Sequence, residues 1–168
     1  FVIDASGNLY YSVIDNNIVK LFSVTPGGGL IWNTIVLNPS VSADIVDLEL
    51  TSDQNLLLLT QEDNGPDISV HVHKFSLTGN LIWDNSTNLP LNTKFLRIQE
   101  SNNKVYILGS KNNLTSEQLF IKSYQYSSGQ SASEYTQALS NNDYLKPIDF
   151  SIDYLGNLIV LSKKQTST

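Results

Sequence analysis

The sequence predicts an all-β fold of the propeller type, a segment of about 3.5 four-stranded antiparallel blades within a larger propeller. Two recurring strings carry that expectation. Gly28-Gly29-Leu30-Ile31-Trp32 returns 51 residues later as Gly79-Asn80-Leu81-Ile82-Trp83. Asp4-Ala5-Ser6-Gly7-Asn8-Leu9-Tyr10 returns as Asp153-Tyr154-Leu155-Gly156-Asn157-Leu158-Ile159, and more loosely at 51–57 and 100–106. Positions 8, 55, 104 and 157 are thus spaced by 47, 49 and 53 residues, a drift that suits loops of varying length around a fixed unit. The third observation is the content of one period, in which ~49 residues hold four strand-length runs separated by turn residues.

The repeats divide the single propeller segment, 1–168, into 1–43, 44–92, 93–145 and 146–168, the first and last incomplete. Residues 1–4 read as the end of a first strand. In the second repeat, 45–50 is a first strand with Val46, Leu48 and Leu50 on one face and Asp47 and Glu49 on the other. A polar turn at 52–54 leads into a second strand, 55–60, apolar on both faces as a strand sandwiched between neighbouring blades requires. Asn64-Gly65-Pro66, within the loop 62–67, breaks the ladder. A third strand follows at 68–76, and Ser76-Leu77-Thr78-Gly79-Asn80 turns into a fourth at 81–84. Gly28, Gly79 and Gly129 supply the positive φ of that last turn. The one place that allows a helical turn is 114–118, where Thr115 and Glu117 offer capping chemistry inside a long loop spanning 110–118. Residues 157–162 form a second strand whose third and fourth partners are missing. Such an arc leaves strand edges and apolar faces bare, so the remaining blades of the same chain, or other subunits, are expected to cover them.

At these residues the chain resembles the bacterial seven-bladed β-propeller repeat, with its Asp-x-x-Gly-Asn-hydrophobic-Tyr opening. Asp4, Gly7, Asn8, Leu9 and Tyr10 fit that opening, as do Asp153, Gly156, Asn157 and Leu158. The segment from Phe75 through Thr78 and Gly79 to Trp83 resembles the end of such a repeat, and is also similar to the Thr-Gly-x-x-x-Trp turn of quinoprotein-like propellers. The third repeat departs, with Ser133 where Trp32 and Trp83 stand and no glycine in its first turn. The resemblance implies a secreted or surface propeller and carries over no catalytic residue.

Composition narrows the partners. A net charge of −6 without any basic cluster argues against nucleic acid and anionic membrane surfaces. Zero Cys removes disulfides and thiolate chemistry. No run approaches the ~18 apolar residues of a membrane span. A cysteine-free β repeat rich in Asn, Ser and Thr fits an extracellular or cell-surface setting.

Each candidate site has a structural counterpart that fits better. His71 and His73, the only histidines, alternate on one strand and could chelate a metal, but lack a third ligand nearby and read as solvent-facing. Glu62, Asp63 and Asp67 offer hard oxygens in a sharp turn, without EF-hand spacing. Trp32 and Trp83, with Phe22, Phe75 and Tyr124, suit packing between blades better than carbohydrate stacking. Asp47 and Glu49 share a strand face as glycosidase carboxylates do, and read as a polar face. Asn85-Ser86-Thr87 and Asn113-Leu114-Thr115 are glycosylation sequons, relevant in a eukaryotic secretory host. No nucleophile-elbow, zincin or P-loop motif appears, so no catalytic, cofactor or metal residue is assigned.

The expected role is a non-enzymatic scaffold, adhesion or protein-interaction module of a larger secreted or surface protein. A protein partner, or a glycan, would meet the face that carries the loops at 15–17, 62–67 and 110–118 with the connections at 38–43 and 139–146. The alternatives are part of a propeller enzyme whose active site lies in other blades, and a structural subunit of an extracellular assembly.

Overall fold

The computed structural model describes residues 1–39, 42–113, 116–137, 144–153 and 155–165. Its strands form consecutive antiparallel meanders. The first sheet contains β1 (Val2–Ile3), β2 (Leu9–Asp15), β3 (Ile18–Val24) and β4 (Leu30–Leu37). The second contains β5 (Ala43–Leu50), β6 (Asn55–Asp63), β7 (Asp67–Ser76) and β8 (Leu81–Pro90). The third contains β9 (Thr93–Ser101), β10 (Lys104–Asn113), β11 (Ser116–Gln125) and β12 (Ser131–Gln137), and the fourth pairs β13 (Tyr144–Ile152) with β14 (Leu158–Gln165). Each complete sheet is the four-stranded meander of a propeller blade, and the fold class is all-β of that type. The chain divides into two compact units, Phe1–Leu89 and Pro90–Thr168.

One turn chemistry explains both repeated strings. In five hairpins a side-chain oxygen at the first turn position accepts the backbone N–H four residues on: Asp4 from Asn8, Thr25 from Gly29, Thr51 from Asn55, Ser76 from Asn80 and Asp153 from Asn157. The same first residue donates its N–H to the carbonyl of that fifth residue, and its own carbonyl accepts from the fourth. The fourth residue has positive φ: +82° at Gly7, +84° at Gly28 and Gly79, +85° at Gly156, and +60° at Gln54. Asp, Thr or Ser followed by Gly three positions later therefore specifies a bulged hairpin turn. Ionised Asp4 and Asp153 offer both oxygens as acceptors, and the Asn8 and Asn157 side-chain amides hold their carboxyls below the usual range. The third sheet's first turn, without glycine, uses Asn102 and Asn103 at φ +51° and +61°. Asparagine tolerates that conformation better than other side chains.

In the first unit, Tyr10, Val19 and Leu21 of the first sheet pack against Leu48, Leu56, Leu58 and Phe75 of the second. These define a leading face on the first sheet and a trailing face on the second. The Trp32 indole N–H donates to the Leu77 carbonyl at 2.8 Å, tethering β4 to the β7–β8 turn of the next sheet. Gly79 lies under that ring, where a Cβ would stand 2.9 Å from it, whereas a Cβ at Gly28 meets nothing within 4 Å. Gly28→Ala should cost about 1–2 kcal/mol, the left-handed penalty alone. Gly79→Ala should cost about 1–3 kcal/mol beyond that by overpacking the indole, a difference that urea unfolding of the two variants measures.

In the second unit, Tyr106, Leu108, Leu119 and Ile121 of the third sheet meet Phe150, Ile152 and Val160 of the fourth. Phe95 and Phe120 pack edge to face at 6.0 Å on the third sheet.

Three expectations change. Val46 does not join Leu48 and Leu50 in the core, because β5 carries a bulge there: Ile45 pairs with Thr60 and Asp47 with Leu59, leaving Val46 extra and Ile45 packed instead. No long loop spans 110–118, since β10 continues to Asn113 and β11 begins at Ser116. Residues 116–118 are strand rather than helix, and 114–115 lie outside the described residues, as do 40–41 and 138–143 of the connections. Glu62 and Asp63 belong to β6, so the loop in the second sheet is only Asn64, Gly65 and Pro66. The sheets therefore differ in strand length more than in loop length.

Candidate functional site

Two places collect side chains that packing does not use up. The first is the β6–β7 hairpin end of the second sheet. Its three-residue tip is rigidly held: the Asp63 N–H donates to the Ser42 carbonyl at 3.1 Å, the Gly65 N–H to the Asp63 carboxylate at 2.8 Å, and the Asn64 N–H to the Asp67 carbonyl at 2.9 Å. The Asn64 amide donates to the Ser69 hydroxyl, which donates in turn to the Asn88 side-chain oxygen at 2.7 Å. Gln61 donates to Asp44 at 3.3 Å. This end of the sheet thus presents Asp44, Asp63 and Asp67 on a cross-linked backbone. Glu62 is instead drawn to His71, whose Nε2 lies 3.6 Å from the Glu62 Oε2.

His71 and His73 are placed on the same face, as alternation requires, but they are not solvent-facing. Their rings stack in parallel at 5.9 Å, and His73 is 4% exposed, with its Nε2 3.4 Å from the Thr60 hydroxyl. Cross-strand pairing sets His73 opposite Leu58, so both rings lie on the trailing face beside Phe75. Burial pushes His73 down to about 3, aided by His71. Burial lowers His71 as well, against the opposing pull of Glu62 and Asp84. Among the described residues no three metal-ligating groups converge.

The second place is a feature missed in the sequence. Each first strand of the second, third and fourth sheets carries the same bulge. Leu96 is extra where Phe95 pairs with Gly109 and Arg97 with Leu108, and Ile148 is extra where Pro147 pairs with Ser162 and Asp149 with Leu161. The bulge turns Leu96 and Ile148 outward, 40% and 53% exposed, and re-aims the charged residue that follows. Asp47 and Asp149 each accept the next residue's N–H, from Leu48 and Phe150. Arg97 donates to Asp149 and holds that carboxyl below the usual range. Beside this pair a shallow groove of about 270 Å³ is walled by Phe150, Ser151, Ile159 and Leu161, a surface that can seat an apolar side chain. The signal was present as Ile45-Val46-Asp47-Leu48, Phe95-Leu96-Arg97-Ile98 and Pro147-Ile148-Asp149-Phe150, two apolar residues before a charge.

The tryptophans have structural positions. Trp83 is 8% exposed, and Trp32 is half-buried over the next sheet's turn.

No protein-family model matches the chain. No curated protein matches it. Among solved structures, a chain from a study of two prolyl endopeptidases matches 94% of this chain and 24% of its own length, at 14% identity and a TM-score of 0.45. This chain therefore spans about a quarter of the length of that one. The match corrects one expectation. The reading that the chain is not an enzyme finds no support in this match, which comes from a study of enzymes, and is withdrawn.

Proposed function

We propose that this chain is a protein-interaction module of a larger secreted or surface protein, built from repeats of the bacterial seven-bladed propeller type. Its partner docks on the β6–β7 hairpin end of the second sheet. The observation that supports this reading is the hydrogen-bonded tip joining Ser42, Asp63, Asn64, Ser69 and Asn88. Binding surfaces gain affinity when recognition groups are ordered beforehand, since less conformational freedom is lost on contact. Asp44, Asp63 and Asp67 on that frame favour a partner surface rich in Lys and Arg. The extracellular or cell-surface setting belongs to the same reading and rests on composition and on the repeat resemblance.

The test is chemical crosslinking of the tagged chain to the medium and surface proteins of its own cells, compared with an Asp63→Lys, Asp67→Lys double variant. Capture by the parent chain, lost in the double variant and retained by Leu161→Ser, is the expected result. Equal capture by the parent and the charge-reversed chain would overturn the reading.

A further inference from the structure

Among the asparagines of the sequence, Asn64 alone precedes a glycine. The turn requires that neighbour: Gly65 stands at φ +85°, while a Cβ there would meet nothing within 4 Å, so conformation rather than lack of space calls for glycine. Both residues are exposed at the β6–β7 tip. An Asn-Gly pair is chemically labile, because no side chain on the glycine shields its backbone nitrogen from the carboxamide carbon before it. In the folded tip both reacting groups are held. The Gly65 N–H, the nucleophile, donates to the Asp63 carboxylate at 2.8 Å. The Asn64 carboxamide, the electrophile, donates to the Ser69 hydroxyl five residues on, and Ser69 donates to Asn88 at 2.7 Å. Ser69 is only 6% exposed, so this clamp is anchored in the sheet.

We propose that Asn64 is a self-modification site, an asparagine that deamidates without an enzyme, and that the Ser69–Asn88 clamp governs its rate. The Gly65 nitrogen attacks the Asn64 Cγ and a C–N bond forms. The Gly65 proton passes through water to the departing amide nitrogen, which leaves as ammonia. One water then opens the cyclic imide at either carbonyl, giving aspartate or isoaspartate, so the net change is hydrolysis of one amide. The ring closes only when the carboxamide turns from Ser69 onto the Gly65 nitrogen, and the clamp opposes that rotation. A carboxylate at this position cannot donate to Ser69 as the amide does. It also places a further negative charge between Asp63 and Asp67, and the isoaspartate form lengthens the backbone of a three-residue loop. The chemistry belongs to the tip itself and is independent of the partner that docks there.

Peptide mapping by mass spectrometry, following the 168-residue chain over weeks at neutral pH, tests this. The peptide holding Asn64 should gain about 1 Da and resolve into two chromatographic forms, aspartate and isoaspartate. Ser69→Ala should speed that gain about three- to tenfold, the worth of one hydrogen bond expressed as a rate. Asn88→Ala, at an exposed position, loosens the same clamp from its outer end if Ser69→Ala does not fold. The parent chain in urea should react about tenfold or more faster than the folded chain. Asn64→Gln, whose longer side chain cannot close the five-membered ring, should show no gain at that site. No gain at Asn64 even in urea, or a folded clamp variant that reacts at the parent's rate, would overturn the proposal. A folded parent that reacts as fast as the chain in urea would overturn it too.

Discussion

Phe75→Ala should lower the free energy of unfolding by about 3–5 kcal/mol, while Phe22→Ala on the corresponding face of the first sheet should lower it by only about 1–2 kcal/mol. Phe75 is 3% exposed and packs in the cluster of Tyr10, Leu21, Leu56 and Leu58, so truncation leaves a cavity walled by two sheets. Phe22 is half-buried, with Tyr11 as its ring partner, so its removal costs one stacking contact and part of the transfer energy. Urea unfolding of the two variants in parallel measures the difference. The comparison sets one residue type on the corresponding sheet face with and without packing against a second sheet.

The second large effect is acid lability centred on His73. Its folded-state pKa is about 3, against an unfolded value near 6.5, because burial disfavours the imidazolium. The unfolded chain therefore binds the proton more readily. The neutral ring contributes its full share of stability above pH ~6.5, and that share falls as pH drops through ~6.5 towards ~3. At ~1.36 kcal/mol per pH unit, the loss is about 2–3 kcal/mol between pH ~6.5 and ~4.5. Over that interval the depressed carboxylates of Asp4, Asp149 and Asp153 stay ionised in the folded chain and contribute little to the slope. His71 is lowered in the same direction and adds to the effect. Urea midpoints recorded from pH 7.5 to 4.5 should fall steeply for the parent chain and much less for His73→Leu, whose side chain suits the Leu58 and Phe75 surroundings. Identical slopes for the two chains would show that His73 is not the group that titrates.

What was legible in the sequence was local. The Asp-x-x-Gly-Asn and Thr-x-x-Gly strings specify turns through bonds between residues three and four apart, so the repeat and its strand order follow from short-range chemistry. The leucine run of β6 likewise announced a strand buried on both faces, since Leu56, Leu57, Leu58 and Leu59 are all 0% exposed. The rest needed partners distant along the chain. Val46 fits a period of two with Leu48 and Leu50, and only the pairing of Ile45 with Thr60 exposes the bulge. His73 reads as polar in isolation, and its burial comes from Leu58 across the strand and Phe75 two residues on. The hairpin tip of the candidate site is held by Ser42 and Asn88, each about 20 residues or more away and joined only by folding. Thr60, the hydroxyl neighbour of His73, had no local signal at all.

The central claim is that packing against a neighbouring sheet decides which face of each sheet is covered. Hydroxyl-radical footprinting of the dilute chain tests it most directly, by comparing neighbouring aromatic residues on opposite faces. Tyr10 and Phe75 should be protected while Tyr11 and Phe22 are oxidised several-fold faster. Equal labelling of Tyr10 and Tyr11, or faster labelling of Phe75 than of Phe22, would contradict the assignment of faces.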